Sequence, residues 1–132
     1  MNCIFVFGSN LLGIHGAGAA AYAASLTYGA RQGKGEGLMG RTYALPTCSK
    51  PGKPLRIDQI ADHVDNFRRC AKARPDLYFI LTAVGCGIAG FTPEEIAGLF
   101  LDMPDNVYFQ SKLAYGFLPS ILNMETNDNG ND

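Results

Sequence analysis

The chain has 132 residues, room for one domain and too few for two ordinary ones, and its 47% apolar content against 17% charged is enough to build a core. A formal net charge of −1 argues against wrapping a nucleic-acid duplex, yet residues 1–75 hold ten of the eleven Lys/Arg, so a local anionic ligand is compatible with the charge pattern. No run of about 18 apolar residues and no basic-then-apolar leader occurs, which argues against a membrane partner or a secretory signal.

In chain order, Cys3-Ile4-Phe5-Val6-Phe7 predicts a strand buried on both faces and stopped by Gly8-Ser9-Asn10. His15-Gly16-Ala17-Gly18 leads into an alanine-dominated run, Ala19 to Leu26, which predicts a helix with Gly29 at its C-cap. Residues 29–42, rich in glycine and carrying Arg31, Lys34 and Arg41, read as a loop that orders around a ligand. Thr42 to Leu45 predicts a short strand closed by Pro46, and Pro46, Pro51 and Pro54 disfavour helix and central strand over 47–56.

Ile57, Ile60, Ala61, Val64, Phe67 and Ala71 then recur at helical spacing, opposite Asp58, Asp62, Asp65, Arg68, Arg69 and Lys72. This is an amphipathic helix ending before Pro75, with His63 and the basic run Arg68 to Arg74 on its solvated side. Leu77 to Leu81 predicts a second buried strand. Thr92-Pro93-Glu94-Glu95 is a helix start, with Thr92 as cap, Pro93 at the first position and Glu95 completing a capping box. Ile96, Leu99, Phe100 and Met103 form its buried stripe, Pro104 stops it, and Val107-Tyr108-Phe109 is a last strand. The alternation predicts one α/β domain over residues 1–125, with residues 126–132 as a disordered tail. Its architecture is a three-layer α/β/α sandwich of three principal helices around a mixed, mainly parallel sheet of four to six strands.

Two glycine-rich turns each follow a strand and precede a helix: Gly8 to Ala20 and Ala83 to Phe91. Ligands of open α/β sheets sit outside the carboxyl ends of the strands, where glycine lets backbone N–H groups approach phosphate. Two such turns at one edge would clasp a diphosphate; the competing reading is a pair of tight turns without a ligand. The P-loop triplet Gly-Lys-Ser/Thr does not occur, and the first turn lacks the GxGxxG spacing because Gly16 and Gly18 are followed by Ala21, so ATP hydrolysis and ordinary nicotinamide chemistry drop away. Asn10 would bond a ribose hydroxyl or cap its turn, and His15 would contact phosphate or ribose or brace its loop. Cys86 would be a nucleophile activated by a helix N-terminus and His15, or a cysteine packed under its loop. Phe91 would stack on a base or staple the following helix. Four cysteines without a CxxC pair fit a reduced, cytoplasmic protein, with no metal or cofactor expected.

Asn10-Leu11-Leu12-Gly13 with His15-Gly16-Ala17-Gly18-Ala19-Ala20, and Val84-Gly85-Cys86-Gly87-Ile88-Ala89-Gly90-Phe91, resemble the two ligand loops of the macrodomain superfamily. The branch most similar in motif removes ADP-ribose from acidic side chains or DNA bases, and Tyr43-Ala44-Leu45-Pro46-Thr47 matches its order of elements. The overall likeness is closer still to short, uncharacterised, phage-associated proteins with GSN, HGAGAA, YALPT and GCGIAGF motifs. The resemblance implies ADP-ribose or a related nucleotide diphosphate as a small-molecule partner. It implies Gly8, Ser9, Asn10, His15, Gly16, Ala17, Gly18, Ala19, Thr47, Gly85, Cys86, Gly87, Ile88, Ala89, Gly90 and Phe91 as the binding set. Asn10 and His15 would meet the distal ribose, the glycine-rich backbones the phosphates, and Phe91 a sugar or base. Where the similar hydrolases carry a lysine this chain has Thr47 or Cys48, with Lys50 the nearest amine, and Ala89 replaces their loop carboxylate. No catalytic residue is therefore assigned. The alternatives are a cysteine hydrolase using Cys86 with His15, and a non-enzymatic phage accessory or protein-interaction module.

Overall fold

The computed structural model describes residues 3–16, 29–82, 84–86 and 89–109. The predicted alanine-rich helix, Ala83, Gln110 and the tail lie outside the described residues. Six strands form one mixed sheet. At its centre β1 (Cys3–Asn10) runs parallel to β3 (Thr42–Lys50) on one side and to β5 (Tyr78–Leu81) on the other. Beyond β5 lies β6 (Val107–Phe109), also parallel. The short β2 (Gly37–Met39) and β4 (Lys53–Pro54) flank β3 antiparallel. Two helices accompany the sheet among the described residues: α1 (Ile57–Ala73), and α2 (Pro93–Ala97), which tightens into a 3₁₀ turn over Gly98–Phe100.

The predicted periodicity of α1 places Ile60, Val64, Phe67 and Ala71 in the core, whereas Ile57 is exposed and Ala61 only partly buried. These side chains pack on Ile4, Val6, Tyr43, Leu45, Phe79 and Leu81 of the sheet. Phe67 lies at the middle, edge-on to Tyr43 at 5.0 Å, Phe79 at 5.4 Å and Phe100 at 6.4 Å between ring centroids. A second cluster, Phe7, Ala44, Met39 and Ala30 with Phe5 against it, covers the opposite face. β1 is thus buried from both sides, as its unbroken apolar run predicts. The second buried strand is one-sided instead, since Tyr78 at its start is exposed.

Three departures from the sequence reading concern strands. β1 does not stop at Gly8 but pairs on through Gly8↔Leu45, Ser9↔Pro46 and Asn10↔Cys48. β3 does not close at Pro46 but continues to Lys50. Proline is tolerated there because β2 ends opposite Ala44 and β4 begins opposite Cys48, while the register with β1 slips just beyond. The segment 29–42, read as a loop waiting for a ligand, already contains β2, whose Met39 fills the second cluster. Two surface readings are also corrected. His63 is not merely solvated, for its Nδ1 lies 2.8 Å from Glu36 Oε2. Nor is Arg68 simply exposed, since it donates to the Asp102 carbonyl at 3.0 Å and the Leu99 carbonyl at 3.2 Å.

The α2 start follows the sequence closely. The Thr92 hydroxyl accepts from the Glu95 N–H at 3.2 Å, and Glu95 accepts from the Thr92 N–H at 2.9 Å. No helix among the described residues is long and apolar enough to cross a membrane.

Candidate functional site at the carboxyl edge of the sheet

β1 and β5 are adjacent and parallel, so the segments that follow them emerge side by side at one edge. Gly8 sets how closely they meet: a Cβ there would lie 3.3 Å from Gly85 N and 3.5 Å from Val84 Cα and Thr47 Oγ1. Glycine at this point lets the second loop lie directly against β1. Gly85 has φ 76°, and a side chain on it would also press on Ile96 Cδ1 at 2.9 Å. The Phe91 N–H closes the loop onto the Gly85 carbonyl at 2.9 Å. Ala89 is buried, and the half-buried Phe91 packs against the α1-side core. Thr47 is buried, with its hydroxyl 3.5 Å from the Ser9 carbonyl.

The first turn is braced throughout. Asn10 caps it from both sides: its Nδ2 donates to the Ile14 carbonyl at 2.9 Å and its Oδ1 accepts from the Ile14 N–H at 3.1 Å. The Gly13 N–H donates to the Asn10 carbonyl at 2.9 Å, and the Leu11 N–H to Cys48 at 3.0 Å. Segment 31–36 supplies the rest. Gln32 pairs with both main-chain groups of His15, at 2.9 and 3.0 Å, and the Gly33 N–H donates to Gly13 at 2.8 Å. The Ser9 hydroxyl donates to the Gly35 carbonyl. Gly13 and Gly35 are the points of closest approach, for a Cβ on either would fall on the backbone of the opposite segment.

His15 is 2% exposed and meets Phe7 edge-on at 5.1 Å. Its Nε2 lies 3.0 Å from the Lys34 carbonyl, so the proton of the neutral ring belongs on Nε2. Nδ1 is left as a buried acceptor with no hydrogen-bond partner among the described residues. A Cβ on Gly16 would meet nothing within 4 Å among the described residues. Ala17, Gly18, Ala19, Gly87 and Ile88 lie outside the described residues.

The proposed Cys86–His15 dyad is not brought together. His15 packs on Phe7, in the second cluster, while Cys86 packs against the α1-side cluster on the other face. Burial pushes the Cys86 thiol up and nearby Glu95 adds to the effect, the opposite of a stabilised thiolate. Lys50 ends β3 exposed, paired across the hairpin with Lys53.

Residues 8–16, 29–35 and 46–56 together carry Arg31, Lys34, Lys50, Lys53 and Arg56 and no acid. Only Arg56 of these has an ion-pair partner among the described residues, Asp58 at 3.1 Å. These segments are therefore cationic, whereas Glu95 lies near Cys86 of the second loop. Sequence reasoning missed the bracing residues Gln32, Lys34 and Gly35, for which the only local signal was glycine at alternate positions from 33 to 37. Among the described residues no group of three or more His, Cys, Asp or Glu is arranged to hold a metal ion. No protein-family model, no curated protein and no solved structure matches the chain.

Proposed function

We propose that the chain binds ADP-ribose or a related nucleotide diphosphate across the carboxyl edge of its sheet, within a three-layer, macrodomain-like α/β/α fold. The observation that carries this reading is the contact of Gly8 with Gly85, which joins two glycine-rich segments leaving adjacent parallel strands. The segments around the first of them carry Arg31, Lys34, Lys50 and Lys53, suited to a diphosphate. Asn10 then acts chiefly by fixing its turn, and His15 offers Nδ1 to a ligand hydroxyl or amine. Binding without efficient removal of ADP-ribose follows, since Ala89 brings no carboxylate and Cys86 favours the neutral thiol. A cytoplasmic setting belongs to the same proposal, because the four cysteines are free.

A thermal-shift and calorimetric screen with ADP-ribose, AMP, ADP, NAD and cyclic ADP-ribose isomers tests it. A ligand at 100 times its dissociation constant adds about 2.7 kcal/mol of stability. Gly16→Glu, whose Cβ meets none of the described residues within 4 Å, should keep the fold and weaken ADP-ribose binding at least about tenfold, or about 1.4 kcal/mol. Stabilisation by none of the nucleotides overturns the proposal.

One observation favours a second reading as a protein-interaction module, with a phage accessory role as one form of it. Leu11, Leu12 and Ile14 are 48%, 54% and 47% exposed on a turn whose backbone is largely satisfied internally. Leu12→Ser with Ile14→Ser separates the two readings: partner capture should be lost while nucleotide binding persists.

A further inference from the structure

Glu36 is the one acid between Arg31 and Arg56, and α1 holds it. A single carboxylate oxygen, Oε2, takes both His63 Nδ1 at 2.8 Å and Asn66 Nδ2 at 3.1 Å, from residues one helical turn apart. Asn66 is itself set by Arg69, whose Nη2 donates to its Oδ1. The two residues before Glu36 hold the first glycine-rich turn: the Gly35 carbonyl accepts from Ser9 Oγ, and the Lys34 carbonyl from His15 Nε2.

Segments 9–16 and 31–36 bond mainly to each other, through Gly33 to Gly13, Gln32 to His15 and Ser9 to Gly35. Segment 9–16 is placed by β1, of which Ser9 and Asn10 are part, and by the Leu11 N–H on the Cys48 carbonyl of β3. Segment 31–36 has two ties of its own to the core: it runs on into β2, and its Glu36 bonds to α1. α1 is anchored by four buried side chains, so a bond to its His63 or Asn66 refers the loops to the core itself.

We propose that Glu36, gripped by His63 and Asn66, is a positioning residue that holds segment 31–36 and, through its Lys34 carbonyl, the His15 ring at the ligand edge. The inference rests on the binding reading above for its functional consequence, and on the hydrogen-bond chain alone for its structural one. Glu36 touches neither reacting atoms nor ligand in this account. It acts two peptide units away.

The test compares Glu36→Ala, Glu36→Gln and His63→Ala with the parent chain. Hydrogen exchange at the amides of Gly33 and His15 and the ¹⁵N shifts of the His15 ring read the loops without a ligand. Calorimetry with ADP-ribose reads the site. In Glu36→Ala, exchange at those amides should rise at least tenfold, while amides of residues 98–106 stay as in the parent, and ADP-ribose affinity should fall several-fold. Glu36→Gln keeps an oxygen that accepts from both partners and should restore exchange and affinity together. Unchanged exchange and ring shifts in Glu36→Ala, or loosening that is equal in every loop, overturns the proposal. Should Glu36→Ala fail to fold, the same readouts on His63→Ala decide between these outcomes. If the parent binds no ADP-ribose while Glu36→Ala still loosens the two segments selectively, the ligand reading falls and the positioning role stands.

Discussion

Cys86 lies between two glycines of the second loop, where sequence alone offers a helix-activated nucleophile. Burial and then Glu95 raise its thiol above the ordinary cysteine value, so the neutral thiol dominates near neutral pH. Peptide-resolved alkylation with iodoacetamide should therefore be slow at pH 7 and climb only above the usual thiol range. Glu95→Gln removes the second cause and should move that profile toward lower pH. Fast alkylation of Cys86 at pH 6 to 7 in the parent chain would revive the nucleophile. Glycine gives a second contrast at this scale. Gly35→Ala would drive a Cβ onto the Asn10 carbonyl and force the braced segments apart, whereas the Cβ of Gly16→Ala meets none of the described residues within 4 Å and sits at ordinary φ. The first should cost about 2 kcal/mol or more in urea unfolding and the second about 0.5 kcal/mol or less.

Between α1, β5 and β6 the elements are stitched by one side chain. Asn106 Nδ2 lies 3.0 Å from the carbonyls of Ala71, Arg74 and Leu77, so the helix end, the turn and the strand start share one donor group. Asn106→Asp replaces that donor with a carboxylate facing three acceptors. A loss of about 1–3 kcal/mol is expected in chemical denaturation, and a parent-like midpoint would show that the carbonyls find other donors. This contact spans about thirty residues, and no sequence pattern announces it. The elements that were legible owe their form to neighbours: Thr92 and Glu95 are three apart, and the apolar stripe of α1 repeats within its own turns. The elements that were not legible depend on distant chain. Pro46 stays in a strand because β2 and β4 leave it a gap, and β2 exists because β3 lies beside it. The site divides the same way. Its glycine-rich turns could be found from strand-glycine-helix order, but Gly35 under Ser9 and Glu36 under His63 are met only once residues 26 and 27 positions apart are folded together.

At the scale of the whole molecule, β1 is, among the described residues, the only link between two halves of the sheet, β2-β3-β4 on one side and β5-β6 on the other. Val6 pairs with Tyr43 and with Leu81, partners that are synthesised long after it. β1 therefore cannot complete its ladder with β3 until residue 48 is available, nor its ladder with β5 until residue 81 is. Its edges stay unpaired in the meantime, and the loop-closure entropy of both ladders must be met before they stabilise anything. Refolding should accordingly fall in the millisecond-to-second range of non-local topologies rather than the microseconds of helical bundles, as stopped-flow fluorescence of the tyrosines can read. Val6→Ala should act mainly on the folding arm of the chevron if insertion of β1 is the committing event, and mainly on the unfolding arm if the two halves assemble first. Either way, the strand that carries the first glycine-rich turn is also the one whose arrival joins the sheet. A chain with an empty or misplaced β1 would have no sheet edge for the second loop to lean on, so the site and the fold should appear in the same kinetic phase.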